Sequence, residues 1–333
     1  MSKGIQWRYS RVLRLHAHRS ATDGSPFANA PDSPAAAPAA PCRCRLRQAT
    51  PNVSKALTRP TPKSASRLAD LVGRLWQHRT LIAQLTRRDV MGRYRGSVLG
   101  LLWSLFHPVL MLVVYTFVFS VIFKARWSEG GGDSKVEFAL ILFTGLIVFS
   151  LFSECMNRAP GLVLNNVNYV KRVVFPLEIL PLVAFCSALF HFAVSLAVLL
   201  VFLIAVQRAL HWTVLLLPLV MLPLALLTLG LSWLLASLGV YLRDVGQSVG
   251  VMIAVLMFVS PIFYPVSAVP EEFRGLLRWN PLTPTIEQAR EVVIFGRLPD
   301  WWTMAKMTVI GALIAWTGLA WFQRTRTGFA DVL

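Results

Sequence analysis

Acidic side chains are scarce. Sixteen Asp and Glu stand against 33 Lys and Arg in 333 residues, and only 15% of the chain is charged. Soluble domains average about a quarter charged residues. With 55% hydrophobic residues and a mean hydropathy of +0.57, a water-soluble globule is excluded. Cysteines number four, Cys42, Cys44, Cys155 and Cys186, and Cys42-x-Cys44 has no second ligand pair, so a structural zinc is not expected. There is no Gly-x-Ser-x-Gly and no His-Glu-x-x-His. The run Gly130-Gly131-Gly132 lacks the Gly-Lys-Ser/Thr ending of a phosphate loop. No carboxylate pair lies inside an apolar run, as glycosyl transfer or proton pumping would require. No catalytic, cofactor-binding or metal-binding residue is therefore assigned, and the chain is not expected to be an enzyme. A secondary transporter would carry midplane charges and internal repeats, and neither is visible.

What the chain does have is long apolar runs. Residues 98–123 contain one ionisable side chain, His107. At 1.5 Å per residue they make about 39 Å of helix, more than a bilayer core of about 30 Å needs. Further spans are expected at 136–156, 177–206, 212–238, 248–264 and 303–322. The fold class is all-α integral membrane with six transmembrane helices. Lys and Arg collect on the cytoplasmic side. Arg87, Arg88, Arg93 and Arg95 put the start of the first span inside, and six spans then put both termini inside. Thirteen Lys and Arg fall in the inside segments after residue 66 and nine outside, counting Lys306 at the outer end of the sixth span. Residues 1–66 hold eleven Lys and Arg and two Asp, with a Pro/Ala run at Pro31 to Pro41. They read as a disordered basic extension. No apolar core near Met1 suggests a secretory signal; an Arg-rich organellar transit peptide or a misassigned start codon are the alternatives. The basic charge fits anionic lipid headgroups better than nucleic acid, because it lies beside lipid-length helices.

Between these spans the residues suggest smaller elements. Leu68, Leu71, Val72 and Leu75, imperfectly continued by Leu81, Ile82 and Leu85, form an apolar stripe over an interfacial helix at 67–90. His78 and Arg79 interrupt it, so two short helices fit as well as one. His107-Pro108 predicts a kink in the first span; His107 is either a polar contact or a packed histidine. Glu154 and Arg158 at i,i+4 suggest an ion pair. His191 is the ionisable group inside the third span. Pro218 and Pro223 bend the fourth span and Gly230 allows close packing there. Between spans five and six, Glu271 to Trp279 and a helix starting at Thr283-Pro284 and stopping at Gly296 are too short to cross. They predict re-entrant or amphipathic helices at the outer face.

The run Arg93-Tyr94-Arg95-Gly96-Ser97, followed by Leu99-Gly100, Trp103 and Pro108, resembles the first-span entrance of bacterial polysaccharide ABC exporter permeases, most of all the O-antigen (lipopolysaccharide) permeases. The resemblance covers Ala65 to the C-terminus, taken as a membrane domain at 67–333. It implies an inner-membrane homodimer working with two copies of a separate ABC ATPase, which would bind ATP and Mg, to export an undecaprenyl-diphosphate-linked polysaccharide. It also implies that Asn165, Asn166, Asn168, Tyr169, Lys171 and Arg172 form a coupling helix for the ATPase. Tyr241, Arg243 and Asp244 would make a second contact; Arg243 and Asp244 read equally as an interfacial salt bridge. Arg87, Arg88, Asp89, Arg93, Tyr94 and Arg95 would belong to the interface helix and the entrance. Aromatic side chains could let sugar rings slide, with Trp103, His107 and Tyr115 as lining candidates, although core packing explains such rings too. A drug or lipid exporter of the same class is the alternative, and an integral-membrane acyl- or glycosyltransferase a more distant one.

Overall fold

The computed structural model describes Gly73 and residues 77–122, 135–170, 175–208 and 210–332. The basic extension, the apolar stripe from Leu68 to Leu75, the glycine run, Lys171 and Arg172 lie outside the described residues. Helix α1 is Arg79–Tyr94. The first span comprises a 3-10 turn at Gly100–Leu102, helix α2 at Trp103–Tyr115 and a π-helical stretch at Thr116–Ile122. Helices α3 (Lys135–Arg158), α4 (Val167–Val170), α5 (Ile179–Gln207) and α6 (Leu217–Tyr241) follow. Then come α7 (Val245–Val259), α8 (Glu271–Trp279), α9 (Leu282–Val293), α10 (Trp301–Thr325) and the short α11 (Phe329–Val332). No strand occurs among the described residues. Among the described residues, five helices are long and apolar enough to cross a membrane, with α7 a shorter apolar one. The chain is an all-α, multi-pass integral membrane protein.

Helix α3 is the axis of the bundle. Within its apolar span 78% of residues are buried, against 11% in the first span, which presents Trp103, Phe106, Val113 and Phe117 at the surface. A run from Phe138 to Phe143 is wholly covered.

Helices α6 and α10 cross closely because small residues recur on both. A Cβ on Gly311 would meet the Pro223 carbonyl, and one on Gly318 would meet the Gly230 carbonyl. Seven residues further along each helix, Ser237 and Thr325 share a hydrogen bond of 2.7 Å. The three contacts rise in the same order on both helices, so the helices run parallel, and a seven-residue step keeps one seam facing the partner. Backbones this close replace lipid contacts with dispersion contacts.

Parallel α6 and α10 require a return between them. That return departs from the expected 248–264 helix. Helix α7 starts at Val245 and stops at Val259; it is about 22 Å long, less than a bilayer core. Pro261 cannot continue the ladder. The chain nevertheless runs beside α3 for most of its height, from Gly250 next to Asn157 to Ile262 next to the Arg290 guanidinium that also reaches Ile141.

The outer pair also differs from expectation. Helix α9 begins at Leu282, two residues early, because the buried Asn280 side chain accepts the Leu282 N–H at 3.0 Å and donates to Ser260 Oγ at 2.9 Å. It is not a surface amphipathic helix: Leu282, Ile286, Ala289, Val292 and Val293 join the main core. On helix α8 Leu277 is buried, while Glu272 and Phe273 are exposed. Gly296 ends this segment at φ 66°, a left-handed conformation that favours glycine.

Candidate functional site: a charged joint beside the coupling segment

At the end of the bundle where α1 lies, four charged side chains on two helices interlock. Asp89 and Arg93 are i,i+4 on α1, and Glu154 and Arg158 are i,i+4 on α3, so each pair shares a face. Arg158 Nη2 reaches both Asp89 carboxylate oxygens at 2.7 and 2.8 Å, and Arg93 Nη2 reaches Glu154 Oε1 at 2.6 Å. Charge order is opposite on the two helices, and a shift by one turn would place like charges together. The expected Glu154–Arg158 pair within α3 is the weak contact here, at 3.8 Å. Both residues turn instead to stronger partners on α1, where each can make charge-assisted hydrogen bonds at better distance.

His191 of α5 joins the same group. Its Nδ1 lies 3.1 Å from Glu154 Oε2 and 3.2 Å from Arg93 Nη1, and its Nε2 lies 3.1 Å from the Tyr94 hydroxyl. Burial raises the Tyr94 phenol above its ordinary range, so it remains a donor at neutral pH. An Nδ1–H donated to Glu154, with Nε2 accepting from Tyr94, satisfies all three groups. Three helices thus meet at one carboxylate. Below them Leu81, Ile82 and Leu85 of α1 pack with Ile179 and Val183 of α5, so the imperfect stripe does face the bundle. The chain turns at His78 just before α1. Helix α1 then runs through Tyr94, beyond the expected 90. Gly96 at φ 88° and Gly100 at φ 52° turn the chain into the first span. An apolar groove of about 700 Å³ lies between α1 and α5, with Ile82, Val90, Leu182 and Phe190 in its walls and Arg79 and Arg87 beside them.

The expected coupling segment sits against this joint. Arg88 donates to the Tyr169 hydroxyl at 2.6 Å and lies 5.8 Å from that ring's centre, and Tyr169 stacks on Phe175 at 4.4 Å. Asn166 bonds back to the Leu162 carbonyl at 2.8 Å. Asn165 and Asn168 stay exposed. Within the segment, Asn166 and Tyr169 fasten it while Asn165 and Asn168 face outward. The second expected contact is adjacent: a Cβ on Gly239 would strike the Pro160 carbonyl, and Gly246 lies beside the same proline. Tyr241 donates to the Thr325 carbonyl at 3.1 Å. Arg243 and Asp244 are exposed and form no ion pair with each other among the described residues. Pro160 thus brings the start of the first segment against the helices on either side of the second.

Residues 80–294 match the protein family described as ABC-2 type transporter. The chain belongs to that family.

Similar proteins include an O-antigen export system permease of Myxococcus xanthus, 28% identical over 78% of this chain and 98% of its own length. A Klebsiella pneumoniae O-antigen export permease is 26% identical over 76% of this chain and 95% of its own. An Escherichia coli polysialic acid transport protein is 25% identical over 74% and 93%. An ABC-2 type transporter chain of this kind is a transport subunit.

The lining candidates divide within this ABC-2 chain. Trp103 is exposed and meets Phe106 edge-on at 5.3 Å, and His107, one turn on, is exposed on the same side. Tyr115 instead turns inward against the main core. Arg87 and Arg95 are exposed. Sequence reasoning missed the role of Asp89 and His191 as partners of Glu154 and Arg158. The available signal was that the second and third spans each carry an ionisable group, Glu154 at the inner end of one and His191 midway along the other. It also missed Arg290, which is buried on α9.

Proposed function

We propose that this chain is the membrane permease subunit of a bacterial ABC exporter that carries a lipid-linked polysaccharide, an O-antigen or a related capsule-type polymer, across the inner membrane. It works as a homodimer with two copies of a separate ATPase that binds ATP and Mg. Residues 67–333 form the membrane domain, preceded by the basic extension, with both termini in the cytoplasm. The interlock of Asp89, Arg93, Glu154 and Arg158 carries this reading. It ties a surface helix to the central span, and Arg88–Tyr169 ties the same helix to the segment offered to the ATPase. ATP-driven closure of the partner would push Asn165 and Asn168 and rock α1 against α3 and α5. A polysaccharide cargo is supported by relatives, matched over nearly their whole length, whose names give O-antigen export and polysialic acid transport; its carrier here would be undecaprenyl diphosphate. Trp103 and His107 offer a face along which sugar rings could pass.

The test is deletion of the gene, with surface polysaccharide resolved on a gel and the lipid-linked pool assayed. The expected result is loss of surface polymer with long chains accumulating on their lipid carrier inside. Loss without accumulation points to synthesis and sinks the export reading. An unchanged gel leaves a drug or lipid exporter as the better account.

A further inference from the structure

Arg290 stands in the middle of α9 with 3% of its surface exposed. Its guanidinium reaches backbone carbonyls on two other pieces of the fold. Nε donates to Ile141 of α3 at 3.1 Å, Nη1 to Pro261 at 2.7 Å and Nη2 to Ile262 at 2.8 Å. Pro261 and Ile262 follow the end of α7, where carbonyls have no helical partner of their own. The planar fork of arginine serves several acceptors at fixed angles, which a lysine ammonium does not reproduce. The berth is prepared on the other side as well. A Cβ on Gly145 of α3 would lie 2.7 Å from Arg290 Nη2, so a glycine one turn beyond Ile141 lets the guanidinium reach that helix. Asn280 and Ser260 make a second buried bond between the same outer segment and the end of α7.

Helix α3 therefore carries two joints. Ile141 receives Arg290 near one end, and Glu154, thirteen residues on, receives Arg93 and His191 near the other. The separation is about 20 Å along one unbroken helix without an internal proline. A rod of this kind moves as a unit when one end is pushed.

We infer that Arg290 is a positioning residue that locks α8, α9 and the end of α7 to α3, so that a displacement at the Glu154 joint is delivered to the outer helices as one rigid step. The inference rests on the export reading above, since the partner ATPase supplies the push. The acceptors are carbonyls with fixed directions, so the outer pair follows both translation and rotation of α3.

The test uses the whole exporter complex in lipid nanodiscs, with genetically encoded spin labels placed either at Gln84 of α1 or at Glu272 of α8. Distances between the two copies are measured with and without ATP and vanadate. In the unmodified complex both label pairs should shift on trapping. In Arg290→Lys and in Gly145→Ala the Gln84 pair should shift as before, ATP hydrolysis should stay within about twofold, and the Glu272 shift should vanish with at least a tenfold loss of export. A preserved Glu272 shift in Arg290→Lys overturns the inference. So does loss of the Gln84 shift together with the Glu272 shift, because Arg290 would then only hold the fold together. If neither pair responds in the unmodified complex, the export reading itself fails and takes the inference with it.

Discussion

The two ends of α3 solve the same problem in opposite ways. At the α1 end, Glu154 and Arg158 are a fifth to a quarter exposed and bind charged side chains on another helix. At the far end a guanidinium is buried and binds backbone carbonyls. Water that reaches the first set can replace a lost partner, and exposed ion pairs contribute only about 0–1 kcal/mol each. Nothing can replace a partner in the second set, where each orphaned acceptor costs about 1–3 kcal/mol. The contrast separates a joint built to exchange partners from one built to stay closed. Motion is cheap where α1 meets the bundle and expensive where α9 does.

The strongest way to break this comparison is Arg290→Met. Three buried carbonyls lose a donor, and stability should fall by about 3 kcal/mol or more. Thermal unfolding in detergent against the unmodified protein would read it. A loss below about 1 kcal/mol would mean that the far end is as replaceable as the near one.

Glu154→Gln should have the reverse profile. It keeps a hydrogen-bonding side chain but removes the charge that faces Arg93 and His191, and stability should fall by only about 1–2 kcal/mol. Export should nevertheless drop about tenfold, because the register of α1 on α3 is set by that charge. The companion experiment exchanges a pair. Asp89→Arg alone puts two arginines face to face and should abolish export, whereas Asp89→Arg with Arg158→Asp restores an opposite-charge pair at that position and should recover a large part of it. Equal loss in the single and the double variant would rule out charge register as the determinant.

How much of this was legible in the sequence follows from which forces are local. The apolar runs declare the spans because transfer into lipid depends on composition over about twenty residues. The left-handed turns at Gly96 and Gly100 sit in the very motif that carries the family resemblance. The Glu154–Arg158 pair was visible and forms at 3.8 Å, but it is the lesser contact of both residues. An i,i+4 rule cannot weigh a partner 61 residues away, such as Arg93. Arg290 looked like an ordinary outer-loop cation because its acceptors are carbonyls, which every residue has. The fifth span already reads as short, with Pro261 and Pro265 at its end, but its stop at Val259 was hidden because Ser260 to Tyr264 is as apolar as a helix end. Only tertiary contact shows that its carbonyls are taken by a side chain.

A smaller effect tests the path between the segment proposed to face the ATPase and the near joint. Tyr169→Phe removes the hydroxyl that Arg88 donates to but keeps the ring stacked on Phe175. Export should fall about two- to fivefold while ATPase association is unchanged, since a single hydrogen bond to a charged donor is worth roughly 1 kcal/mol or a little more. Co-purification of the ATPase and a transport assay separate the two. A loss of association would place Tyr169 in the docking surface itself instead of behind it.

The smallest expected effect sharpens what "far end" means. Asp300 lies before α10, on the Arg290 side of the molecule, yet it is fully exposed. Its side chain caps the helix by accepting the Trp302 N–H at 3.0 Å and the Thr303 hydroxyl at 2.6 Å. The Thr303 bond holds the carboxyl below its usual range. A carboxylate whose pKa is lower folded than unfolded adds stability above the unfolded value and loses it as the pH falls through the folded one. Asp300→Asn keeps a good capping side chain and removes the charge. The unmodified protein should therefore hold a slight thermal-stability advantage over Asp300→Asn near neutral pH, and that advantage should disappear as the pH drops below the carboxylate range. An advantage that stays constant with pH would trace it to cap geometry alone. A small, titratable effect here beside the large one expected at Arg290 would show that burial, and not position along the bundle, decides which joints are fixed.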